Sequence, residues 1–179
     1  MKNKMHWTLV SSIAGFGLIA SAPAAGQEAK KESAAAAQLE RLKKLAGKWQ
    51  GTGDQAEHKE VTVSYKVTAG GSAVMETLFA DTPNEMVTVY TLDGDDLVLT
   101  HYCMMGNQPH MKAEKGTDAK TIKFICTGHG GNMKSENDPH MHAVTHTFVD
   151  DNHLVSEWVM QDKGQTTHTA HFELQRVKS

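Results

Sequence analysis

Between Lys48 and Arg176 apolar and polar residues alternate with a period of two, broken every eight to twelve residues by turn formers. That is the pattern of strands in a meander. Segments near 48–53, 60–69, 72–80, 86–92, 96–104, 109–115, 120–127, 140–149, 153–161 and 165–176 read as strands. Gly70-Gly71, Asp93-Gly94-Asp95-Asp96, Gly116-Thr117-Asp118 and Asp150-Asp151-Asn152 read as compact turns between them. Ahead of them, Ala34 to Ala46 follows another period. Leu39, Leu42 and Leu45 recur at near-helical spacing, the alanines favour a helix, Ser33 can cap it and Gly47 stops it. The pattern therefore predicts a mainly β fold, a ten-stranded antiparallel up-and-down β-barrel preceded by a short N-terminal α-helix. Closure removes the exposed edges of an open sheet.

Alternate side chains of a strand share a face, so parity assigns the inward residues. In the fifth segment Leu97, Leu99, His101 and Cys103 form the more apolar face. In the seventh, Ile122, Phe124 and Cys126 do. In the eighth, Val144 and Phe148 carry His140, His142 and His146 inward. In the tenth, Ala170, Phe172 and Leu174 carry His168 inward and leave His171 at the surface. Consecutive strands of a meander alternate in direction, which places His101, Cys103, Cys126, His140, His142 and His168 at one rim. The longer connections, Gly106-Asn107-Gln108-Pro109 and Gly128 to Pro139 with His129, fall at that rim, and the compact turns at the other end. Functional residues commonly sit on the loops and strand ends of a rigid scaffold.

The first 25 residues follow a different logic. Lys2 and Lys4 precede the apolar run Leu9 to Ala20, and small residues follow, with cleavage expected after Ala24 or Ala25. This is the layout of a secretory signal peptide, so a periplasmic or secreted protein without a stable membrane anchor is expected. Residues 26–33 read as a disordered leader and 34–179 as a single helix-plus-barrel domain. Without Lys2 and Lys4 the net charge falls to about −5, and no Lys/Arg stripe appears, which argues against nucleic acid and anionic membrane as partners. Every histidine but His6 and every methionine but Met1 and Met5 remains in the mature part, which has two cysteines.

The run Leu45-Ala46-Gly47-Lys48-Trp49-Gln50-Gly51-Thr52-Gly53, a short helix entering a Gly-Trp first strand, resembles the opening of lipocalin-like and nitrobindin-like (calycin) barrels. Met86 to Met111, with Leu92-Asp93-Gly94-Asp95 and Thr100 to Pro109, is similar to a group of uncharacterised secreted bacterial proteins of that class. The resemblance covers roughly residues 39–176 and implies a ligand cavity or, in nitrobindins, a haem held by one histidine. The chain departs from the nitrobindin opening after Gly53, so haem ranks behind copper or zinc.

The rim residues carry the candidate chemistry. His140-Met141-His142 and His101-Tyr102-Cys103 each put two donors on one strand face, about 6.5 to 7 Å apart at the backbone. Imidazole and thiolate suit zinc and copper, and thioethers such as Met104, Met105 or Met141 favour reduced copper. The metal candidates are His101, Cys103, Cys126, His140 and His142. The ligand-binding candidates are His101, Cys103, Asn107, Gln108, His142 and His168, for a small molecule or a metal. Two other readings stand beside this one: a carrier of an apolar organic ligand or haem, and an enzyme in which the His101 imidazole activates the Cys103 thiol. Export permits a Cys103–Cys126 disulfide, whereas an intervening sixth strand would hold the two about 9 to 10 Å apart, beyond the bridging limit near 7 Å.

Overall fold

The computed structural model describes residues 33–54, 60–116, 120–128 and 130–178. The expected signal peptide, the leader up to residue 32, and His129 lie outside the described residues. The first element is α1 (Ala34–Lys43). Ser33, the last residue of the expected leader, is its N-cap, and its Oγ accepts from Ala36 N at 3.1 Å. The helix ends three residues earlier than its apolar spacing suggests, because Leu45 and Ala46 belong to a closing turn that leads into Gly47.

Ten antiparallel strands follow: β1 (Gly47–Gly53), β2 (Glu60–Thr68), β3 (Ala73–Leu78), β4 (Met86–Asp93), β5 (Asp96–Tyr102), β6 (His110–Ala113), β7 (Thr121–Cys126), β8 (His140–Phe148), β9 (His153–Asp162) and β10 (Gln165–Arg176). Each pairs with its neighbours in sequence, and β1 pairs with β10 to close the barrel. Closure brings β1 and β10 very near at Gly51, where a Cβ would sit 1.8 Å from the Glu173 carbonyl oxygen. Only glycine fits there.

The inward positions alternate as the sequence suggests: Val61, Val63 and Tyr65; Val74, Glu76 and Leu78; Leu97, Leu99 and His101; Leu154, Ser156 and Trp158 are all buried. The end with compact turns is shut by α1, which buries Ala35, Leu39 and Leu42. Trp49 lies beneath it, donating from Nε1 to the Leu45 carbonyl at 2.7 Å and meeting Tyr65 edge-on. Arg176, at the end of β10, covers the Trp49 ring at 4.4 Å and donates to the carbonyls of Lys44 and Ala46, which the helix itself leaves unpaired. The opposite end carries the 103–109 turn and the 127–139 loop. Hydrogen bonds tie these together, from Gln108 N to the Gly131 carbonyl at 2.6 Å and from Asn132 Nδ2 to the Gly106 carbonyl at 3.1 Å.

Candidate functional site

Cys126 is the last residue of β7, and His140 and His142 stand at the start of β8, so the 127–139 loop returns the chain to its own starting point. The Cys126 Sγ and one ring nitrogen from each histidine lie within 4.8 Å of one another. His140 is buried, and Cys126 and His142 are half-buried. A bulge between Met141 and Ala143 breaks the strict alternation of β8. It lets His140 and Ala143 both be buried while His142 stays close to His140, its ring centroid 5.4 Å away.

The proton positions at this rim follow from the partners. His140 Nδ1 faces the Asp138 carbonyl at 2.7 Å, and a carbonyl only accepts, so Nδ1 carries the proton. In the neutral ring, Nε2 is then a bare lone pair aimed at His142 Nδ1, 3.2 Å away. Two nitrogens bound to one tetrahedral zinc at about 2.0–2.1 Å stand roughly 3.3 Å apart, so the pair is already at ligand spacing. The second-shell carbonyl of Asp138 fixes the tautomer that exposes Nε2. Asn107 holds the adjoining Pro139 carbonyl through Nδ2 at 2.8 Å and steadies the entry to β8. Burial pushes the Cys126 thiol up from its ordinary value, a backbone hydrogen bond at Gly128 pulls it down, and the Glu136 carboxylate raises it further. Burial and the neighbouring His140 lower His142. A metal at this rim would therefore displace a thiol proton and find the His142 ring biased toward its neutral form.

The other sequence candidates are placed differently. His101 is buried inside the barrel, its Nδ1 2.9 Å from Thr88 Oγ1 and its ring 4.6 Å from that of Trp158 across the lumen. Burial pushes its pKa down to about 4. Cys103 shares that inward face and directs its thiol to the Met86 sulfur at 4.0 Å. Neither belongs to the Cys126-His140-His142 group. Gln108 spends its side-chain amide on the Gly106 carbonyl. His168 is exposed beyond a register shift in β10, opposite Met160. Cys103 and Cys126 are both free thiols.

Sequence parity did not single out a second polar constellation, in the middle of the barrel. Glu76 is buried and accepts from Tyr65 at 2.7 Å and from Tyr90 at 2.6 Å. Tyr90 Oη is also 2.8 Å from His146 Nε2, and His146 Nδ1 is 2.8 Å from Ser156 Oγ. Burial raises the Glu76 carboxyl and lowers His146 to about 4. The signal was present in the alternation itself: Glu76 lies between Val74 and Leu78 on one face, with Tyr65 directly opposite on β2 and Tyr90 opposite Val74 on β4. His146 uses both ring nitrogens within this network, and His101 has Trp158 against its ring. His146 therefore does not fit the single-histidine haem that the resemblance implies, whereas His101 Nε2 is buried without a hydrogen-bond partner among the described residues.

No family model and no curated protein matches the chain. Among solved structures it is similar to Rv2717c from M. tuberculosis, with a TM-score of 0.50 and 16% identity over 78% of this chain and 97% of that one. The likeness is one of fold and agrees with a calycin-like barrel.

Proposed function

We propose that this chain is an exported calycin-like barrel that binds a transition metal ion, copper or zinc, at its open rim through Cys126, His140 and His142. The observation that carries this reading is the convergence of three donors of the right chemistry within 4.8 Å, with two imidazole nitrogens 3.2 Å apart and one held in the metal-ready tautomer. The buried, mutually paired side chains of the barrel interior, Tyr65, Glu76, Tyr90, His146 and Ser156, favour the rim over the lumen as the binding region. An enzyme built on His101 and Cys103 has less support, because the Cys103 thiol faces Met86 and burial raises its pKa.

Export rests on the amino-terminal pattern of Lys2 and Lys4, the apolar run and the small residues at Ala24 and Ala25. Its expected outcome is a mature protein whose intact mass begins at Ala25 or Gly26. The metal reading is tested by elemental analysis of mature protein purified without chelators or a histidine tag. One equivalent of copper or zinc is expected, lost in the His140→Ala/His142→Ala double variant. Protein that takes up neither ion, even after incubation with each, would overturn the reading.

A further inference from the structure

Three donors leave one position of a tetrahedral ion undecided, and the loop between β7 and β8 carries a carboxylate, Glu136, that lies outside the 4.8 Å group and has to swing in to reach it. Glu136 Oε1 stands 3.7 Å from the point a Cβ on Gly128 would occupy, and Cys126 Sγ lies 3.3 Å from the Gly128 carbonyl oxygen. Thiol and carboxylate therefore flank the same residue. The same carboxylate acts electrostatically on His142, the outer member of the histidine pair. The loop that carries it is held at both ends, by Gln108 N on the Gly131 carbonyl and by Asn107 Nδ2 on the Pro139 carbonyl. Within it, Asp138 Oδ2 accepts from Lys134 N at 2.7 Å, while the Asp138 carbonyl fixes His140. Glu136 is thus presented from a folded loop, two residues from the carbonyl that orients a ligand.

We infer that Glu136 is the fourth ligand of the rim site, making it a closed Cys-His-His-Glu centre for zinc(II). This rests on the rim being a metal site and adds which ion it takes and how its coordination is completed. Charge and donor hardness both point this way. A thiolate and a carboxylate neutralise a divalent ion, so a half-buried site carries no net charge when loaded. A carboxylate oxygen suits zinc(II) and is a poor partner for soft copper(I). With four protein ligands the ion has no open position for water, which is the arrangement of structural and storage sites rather than hydrolytic ones.

The test measures zinc uptake by the mature protein under a non-chelating reductant, together with X-ray absorption at the zinc edge. Wild-type protein should show one sulfur per zinc at about 2.3 Å, and Glu136→Cys should show two. Glu136→Ala should weaken zinc by at least about tenfold, the loss typical of even an outer-sphere partner, and leave copper(I) affinity unchanged. Glu136 is exposed, so these variants fold, and circular dichroism checks that they do. A single sulfur in Glu136→Cys with undiminished zinc affinity in Glu136→Ala would overturn the role of Glu136 while the rim site stands. A wild-type protein that binds no zinc would overturn the rim reading itself.

Discussion

The middle of the barrel and its rim are built from the same kinds of residue and treat them in opposite ways. In the middle, Glu76, Tyr65, Tyr90, His146 and Ser156 satisfy one another, and burial holds His146 and His101 neutral. At the rim, His140 and His142 turn their nitrogens toward each other and toward Cys126. A histidine whose polar atoms are closed on other protein groups contributes to stability, and one whose lone pair converges with other donors is available for binding. Histidine content alone does not distinguish the two.

Acidification should give the largest effect, and it acts on the middle. His101 and His146 have folded pKa values of about 4 against an ordinary 6.5, so below 6.5 the unfolded chain takes up protons that the folded barrel refuses. Their stabilisation is complete above pH 6.5 and falls as pH drops toward 4, by up to about 3 kcal/mol for each. Glu76 works in the other direction: its raised pKa favours folding as pH falls and offsets part of the loss. Urea unfolding between pH 7 and pH 4.5 should show this decline, with a shallower slope in His146→Gln. An unchanged slope would remove His146 from the account.

Glu76→Ala comes next, because it removes the carboxylate that accepts from two buried tyrosine hydroxyls and should cost about 4 kcal/mol in urea unfolding. Metal-free Cys126→Ser should cost less than about 1 kcal/mol. Equal losses would erase the contrast between the regions. Zinc at a hundredfold excess over its dissociation constant should raise the unfolding free energy of the wild type by about 2.7 kcal/mol, and that of Cys126→Ser/His142→Ala hardly at all. The smallest effect sharpens the boundary of the site. His168→Ala should change stability by less than about 0.5 kcal/mol and leave zinc affinity unchanged.

Alternation made much of this fold legible. The inward faces of β5, of β7 and of β10 from Ala170 onward follow parity, while the register shift in β10 turns His168 out to solvent; the direction of the meander places Cys126 and His140 at one end because both constraints are local. What parity misses is contact across the lumen. Nothing in the spacing of His101 and Trp158, or of Tyr90 and His146, says that they meet, since each pair joins walls separated by several strands. The bulge in β8 is likewise invisible to a period of two, and it sets how His142 stands relative to His140. Gathering every candidate into one rim cluster therefore assigned too much to it: His101 and Cys103 share the correct face but end in other surroundings.

Arg176 gives the molecule a property in time. It sits 130 residues after Ala46, whose carbonyl it holds, and its strand is the one that seals β1. A chain delivered amino terminus first can form hairpins early, but it cannot shut the cylinder or pin its helix until β10 and Arg176 have arrived. Closure depends on contacts of the longest sequence separation, which makes such folds slow to complete. Under the proposed export, that delay would keep the chain threadable until its crossing of the membrane is finished.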